Sequence, residues 1–122
     1  MKFRQLAITG IIVGLGCIAP AAHAGFYSGN QLLDVCTAEK SSPSYVENTY
    51  ECVAYVAGAV DAFNTTREVN KLKSCIPAKV TLEKLKSATV DYLRANPKKR
   101  DESASALVFA ATRKAWPCGK TK

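Results

Sequence analysis

At 122 residues the chain is long enough for one compact domain and too short for two. Its only histidine is His23, inside the N-terminal apolar stretch. Downstream of it, Ser/His and Cys/His dyads, histidine proton shuttles and the usual zinc sites are excluded. The excess of seventeen Lys and Arg over ten Asp and Glu, formally +7, reads either as solubility or as attraction to anionic envelope components or an acidic protein.

The first 24 residues read as a removable secretory leader. Lys2 and Arg4 precede an apolar run from Leu6 to Pro20, and Ala22-His23-Ala24 has the small-x-small form of a signal-peptidase site. The run is shorter than the ~20 residues of a spanning helix, so no stable membrane anchor is expected after leader removal. Cys17 is not read as a lipidation site, because Gly14 stands where a lipoprotein signal carries leucine. Cleavage leaves 98 residues, from Gly25, and a charge of +5, since two basic residues and no acidic ones depart. The short leader has a bacterial form, and an exported protein does not ordinarily meet nucleic acid. That form also deprives the Asn64-Thr65-Thr66 sequon of meaning.

An all-α domain of four helices is predicted for residues 25–122. The first helix runs from about Gly29 to Glu39, with Ser28 and Gln31 as a capping box, Tyr27 stapled onto Leu32, and Leu32, Leu33 and Cys36 as its buried stripe. A second capping box, Ser44 with Glu47, opens a helix reaching about Phe63. Cys52, Val53, Val56, Val60 and Phe63 line its main face, and Ala54, Tyr55, Gly58, Ala59 and Ala62 make it apolar most of the way round. This is the expected central helix. Ala54, Gly58 and Ala62 recur at four-residue intervals and predict close approach of a neighbouring backbone, with Tyr55 and Gly58 as packing residues. Asp61, a carboxylate among alanines, reads as a paired or solvent-facing structural acid.

The 17 residues from Asn64 to Val80 show no regular period and carry Arg67, Lys71, Lys73 and Lys79 against Glu68. That length suits a recognition surface, or a mobile basic loop tied down by Cys75 and Pro77. Thr81 caps a third helix to about Ala95 that buries Leu82, Leu85, Thr89, Tyr92 and Leu93. Asn96-Pro97 ends it, because the residue before proline is driven out of helical geometry. An all-charged turn, Lys98 to Glu102, then leads to a fourth helix from about Ser103 to Trp116, burying Ala104, Leu107, Val108, Ala111 and Ala115.

Cys36, Cys52, Cys75 and Cys118 form an even set in an exported small domain, which predicts two disulfides. Intervals of 15, 22 and 42 residues contain no close metal-binding pair. Three pairings can be drawn. An antiparallel hairpin of the first two helices favours Cys36 with Cys52 and Cys75 with Cys118, although the spacing alone leaves the connectivity open. No catalytic set and no cofactor site are found. Gly119-Lys120-Thr121 resembles the end of a phosphate loop, but Lys114 stands at the first glycine position and no helix can follow.

Several fragments occur in a characteristic order: Gly29-Asn30-x-Leu32-Leu33-x-x-Cys36, Cys52-x-x-Tyr55-x-Ala57-Gly58-x-x-Asp61-Ala62, Cys75-Ile76-Pro77-x-x-Val80-Thr81-Leu82, Tyr92-Leu93-x-x-Asn96-Pro97 and Ala115-Trp116-Pro117-Cys118. Together they resemble the Rap/Tai family of type VI secretion immunity proteins. The resemblance implies a small helical periplasmic protein, often a homodimer, that binds and blocks an injected peptidoglycan amidase. The catalytic cysteine and histidine would belong to that partner. Lys84 replaces a family glutamine, and Asp101-Glu102-Ser103 replaces a more apolar entry to the last helix.

The expected activity is therefore inhibition by occlusion. Arg67, Lys71 and Lys73 of the long connection, with Lys98, Lys99 and Arg100 of the charged turn, are the candidate contact residues, because interface energy concentrates in a few side chains with arginine enriched. Two other readings are a periplasmic acid-stress chaperone of the HdeA type and a cationic envelope-binding protein. The chaperone would have to respond through carboxylates near pH 4, since no histidine follows the leader.

Overall fold

The computed structural model describes residues 26–119. The expected leader, and the Lys120 and Thr121 of the loop-like tripeptide, lie outside this range. Four helices follow in order: α1 (Gly29–Cys36), α2 (Tyr45–Val69), α3 (Leu82–Ala95) and α4 (Ala104–Ala115), with a 3-10 turn at Pro97–Lys99. Among the described residues there is no strand, only an isolated antiparallel bridge between Ser28 and Ser103.

The predicted capping box starts α1. Gln31 N–H donates to Ser28 Oγ at 3.3 Å, and Ser28 N–H donates to Gln31 Oε1 at 2.9 Å. The helix stops at Cys36 rather than Glu39, because Thr37 N–H and Thr37 Oγ1 both turn back to the Leu33 carbonyl, at 2.9 and 2.7 Å. Its first turn is sewn to the α4 entry: Gly29 N–H reaches Glu102 O, Asn30 N–H reaches Arg100 O and Ala104 N–H reaches Tyr27 O, at 2.8–3.0 Å. A Cβ on Gly29 would collide with the Leu107 side chain and lie 3.0 Å from the Arg100 backbone. Close approach, rather than turn geometry, therefore requires the glycine here.

The second capping box does not form. Ser44 has φ −91° and ψ 10° and caps nothing with its side chain. Its own N–H is taken by Ser42 Oγ at 3.3 Å and the Tyr45 N–H by the Ser42 carbonyl, so a local turn closes the helix start instead.

α2 also continues to Val69, past the predicted end at Phe63, so Asn64 to Val69 belongs to a 25-residue helix. Asn and Thr are weak helix formers, which is why the sequence reads as broken there. In the fold, the Phe63 ring packs against Phe109 of α4, while Thr66 Oγ1 and Asn70 Nδ2 return hydrogen bonds to the Ala62 and Thr66 carbonyls. Tertiary packing outweighs the local preference.

The close approach expected at Gly58 is absent. Ala54, Gly58 and Ala62 are exposed, and a Cβ at Gly58 would meet nothing within 4 Å among the described residues. Asp61 also faces solvent. Tyr55 does pack, half-buried against the core with its ring 5.2 Å from that of Tyr27.

The core lies where α1, α3 and α4 meet the inner face of α2. It contains Leu32, Cys52, Val56, Val60, Leu85, Val90, Leu93, Ala104, Leu107 and Val108. Thr81 caps α3, accepting the Lys84 N–H at 3.3 Å. Leu82, predicted buried, is half exposed at the first turn, and Val90 joins the buried stripe. On α4, Ala104, Leu107, Val108, Ala111 and Thr112 are buried at helical spacing, whereas Ala115, predicted inside, is exposed. The helix has passed beyond the core by Ala115, and Trp116 supplies the last contact with it. Thr89 and Thr112 satisfy their buried hydroxyls on the Leu85 and Phe109 carbonyls.

The disulfides are Cys36–Cys52 and Cys75–Cys118. The first closes the α1–α2 hairpin. The second ties the segment after α2 to the segment after α4, bringing the C-terminal ends of those helices together.

Candidate partner-binding surface

The segment after α2 is short and ordered by its own hydrogen bonds. Asn70 ends the helix, and Lys71 adopts φ 57°. Lys71 N–H donates to Glu68 O and Leu72 N–H to Arg67 O, both at 2.8 Å. This pair of bonds is a Schellman cap, with lysine at the left-handed position where glycine is usual. Arg67 Nε then donates to Lys73 O at 2.8 Å, and Ser74 Oγ links Asn64 Oδ1 at 2.8 Å to the Ile76 N–H at 3.2 Å. The predicted 17-residue irregular stretch is thus a helical end followed by a bonded turn.

This ordering brings Arg67, Lys71 and Lys73 together. With Leu72, Ser74 and Cys75 they line an open depression of about 470 Å³ whose other wall is Pro117, Cys118 and Gly119. An adjoining depression of about 440 Å³ is lined by Asn64, Glu68, Lys71, Leu72, Lys73 and Ser74. Lys71, Lys73 and Leu72 are exposed, and Arg67 is half-buried.

The other three candidates lie elsewhere. Lys98, Lys99 and Arg100 follow α3, beside the entries to α1 and α4. α4 starts beside this turn and ends near Cys118, so about 18 Å of helix separates the two basic clusters. Lys98 and Lys99 are exposed. Arg100 is half-buried, and its guanidinium donates to the last α3 carbonyls, from Nε to Leu93 O at 2.7 Å and from Nη2 to Arg94 O at 3.3 Å. A cation on those carbonyls also opposes the negative end of the helix dipole. Arg100 therefore holds α3, α1 and the charged turn in register.

Helical spacing marks Phe63 as core and distinguishes neither Phe109 nor Arg113. The Phe63 and Phe109 rings meet edge to face with centroids 4.4 Å apart. Arg67 lies over Phe63 at 5.8 Å and Arg113 over Phe109 at 5.5 Å. The available signal was a repeated Phe-x-x-Thr-Arg, at Phe63–Arg67 and Phe109–Arg113. On the far side of α4, Lys114 lies over the Tyr92 ring at 5.9 Å, beside a groove between α3 and α4 floored by Ala88, Ala95, Ala111 and Ala115.

Among the described residues no group of three or more His, Cys, Asp or Glu could hold a metal ion, and no helix is long and apolar enough to cross a membrane. The arrangement offers cations, aromatic rings and shallow relief, which suits binding another macromolecule.

No curated protein and no solved structure matches the chain. The profile of the Rap1a immunity proteins matches residues 28–118, a span that begins at the α1 cap and ends at the second disulfide. The order of fragments, the four helices, the two disulfides and this match agree: the chain belongs to the Rap1a immunity protein family.

Proposed function

We propose that this chain protects its producer by binding, in the periplasm, a peptidoglycan amidase delivered by type VI secretion, and by occluding that enzyme's cleft. Family membership makes it an immunity protein directed at a secreted effector. That match, covering the whole disulfide-braced scaffold, is the observation that carries the reading. Two disulfides suit an oxidising compartment, and the leader at residues 1–24 supplies the export route. Binding needs no chemistry from this chain, only a complementary surface. A homodimer is part of the proposal, and light scattering on the purified protein measures it.

The test uses the purified product of the gene beside this one. An equimolar amount of this protein should abolish that product's release of peptides from peptidoglycan, and deletion of residues 1–24 should remove protection of living cells while leaving inhibition in the tube intact. Binding to a neighbour that has no amidase activity would sink the amidase assignment. Protection without the leader would sink the periplasmic one.

A further inference from the structure

Two helices of this fold carry the same pattern, Phe-x-x-Thr-Arg, and the tertiary structure sets the two copies side by side. Each arginine follows its phenylalanine by one helical turn and lies over the ring of its own helix. The rings then meet at an interplanar angle of 71°. The result is a row of guanidinium, ring, ring and guanidinium across α2 and α4, with Lys71 and Lys73 at the α2 end.

We propose that Phe63, Arg67, Phe109 and Arg113 form the energetic centre of the effector-binding surface, and that the effector meets them with a segment bearing carboxylates. This rests on the immunity reading above and narrows it to one of the two basic clusters.

Three physical features point there. A guanidinium lying on a ring keeps its in-plane N–H groups for a planar acceptor, which is the geometry that takes a carboxylate in bidentate fashion. Both arginines are already held: Arg67 by its ring and the Lys73 carbonyl, Arg113 by its ring. Less side-chain entropy is then lost on binding. Both rings are half-buried, so each presents apolar area beside the charges, the combination found at interface hot spots. Among the described residues the other basic cluster has no comparable aromatic support, and its arginine caps α3.

The chemistry also separates a protein partner from other polyanions. Glu68 lies on the same rim as Lys71 and Lys73 and interrupts the uniform positive field that an anionic bilayer selects. The rings engage each other edge to face, and arginines cover their own faces, leaving no stacking platform for bases.

The experiment measures affinity for a purified effector that this protein inhibits in the test above, with circular dichroism and thermal melting of each variant to confirm the fold. Arg113 is exposed on a helix surface, so Arg113→Glu is the main variant. It should weaken binding roughly 30-fold, and Arg113→Lys, which keeps the charge without the planar fork, should weaken it less. The double change Lys98→Ala with Lys99→Ala should alter affinity by less than about threefold. Reversing the charge of one effector carboxylate should recover part of the Arg113→Glu loss. Unchanged affinity in both Arg113 variants overturns the surface while leaving the immunity reading standing. Wild-type protein that inhibits no effector in that test defeats that reading and this inference together. If Arg113→Glu instead loses adsorption to phosphatidylglycerol vesicles and still binds the effector, the row is a membrane contact and the proposal is wrong.

Discussion

Arg100 Nε lies 2.7 Å from the Leu93 carbonyl, so a residue of the most highly charged turn is a helix cap. Its neighbours in sequence, Lys98 and Lys99, are exposed. Arg100→Ala should therefore cost about 2 kcal/mol, the usual worth of a hydrogen bond from a charged group. Lys98→Ala and Lys99→Ala should each stay within about 0.5 kcal/mol. Urea titration followed by circular dichroism reads all three, and equal effects would remove Arg100 from the cap.

Gly29 and Gly58 should respond oppositely to alanine. At Gly29 the new methyl meets Leu107 and the Arg100 backbone, and backbone cannot move aside cheaply. A loss of about 2 kcal/mol is expected, in the range of overpacking changes. Gly58 sits inside α2 with open space around it, so alanine should stabilise by about 0.5–1 kcal/mol through helix propensity. Thermal melting of the two variants checks both signs. Destabilisation by Gly58→Ala would show that this face is covered in solution.

Lys71 occupies a left-handed backbone position, φ 57°, that glycine adopts without a Cβ penalty. Lys71→Gly should raise stability by about 1 kcal/mol while removing one cation from the rim of the proposed binding surface. Paired measurements of melting midpoint and effector affinity separate these effects. A drop in stability would mean that the lysine side chain contributes more than its backbone costs.

The two disulfides enclose loops of unequal length, with sequence separations of 16 and 43. On the chain-entropy account they contribute about 3 and about 4 kcal/mol, against a typical total of ~5–15 kcal/mol for a domain. Replacing Cys75 and Cys118 by serine should lower the urea midpoint more than replacing Cys36 and Cys52. The reverse order would place most of the stabilisation in native-state contacts of the α1–α2 hairpin.

Much of this architecture is legible in the residues because it depends on local chemistry. Ser28 and Gln31 satisfy each other's backbone within one turn, Asn96-Pro97 stops α3 through a steric clash between neighbours, and the buried stripes of α3 and α4 follow helical spacing, with Val90 and Thr112 joining the expected residues and Leu82 and Ala115 left exposed. The ordered fragments around the cysteines were enough to point to the family.

What the sequence could not decide depended on groups far apart along the chain. α2 passes through Asn64-Thr65-Thr66 as Phe63 finds Phe109, and that contact is a packing energy no local propensity contains. Gly58 resembles a packing glycine, yet the partner helices lie on the other side of α2. Arg67 and Arg113 are 46 positions apart, and only the packing of α2 on α4, with Cys75–Cys118 joining the segments that follow them, sets their rings edge to face. Short-range hydrogen bonding and sterics set the start of α1 and the end of α3, while burial of apolar surface between helices carried α2 past Phe63 and decided which side chains share the proposed binding face.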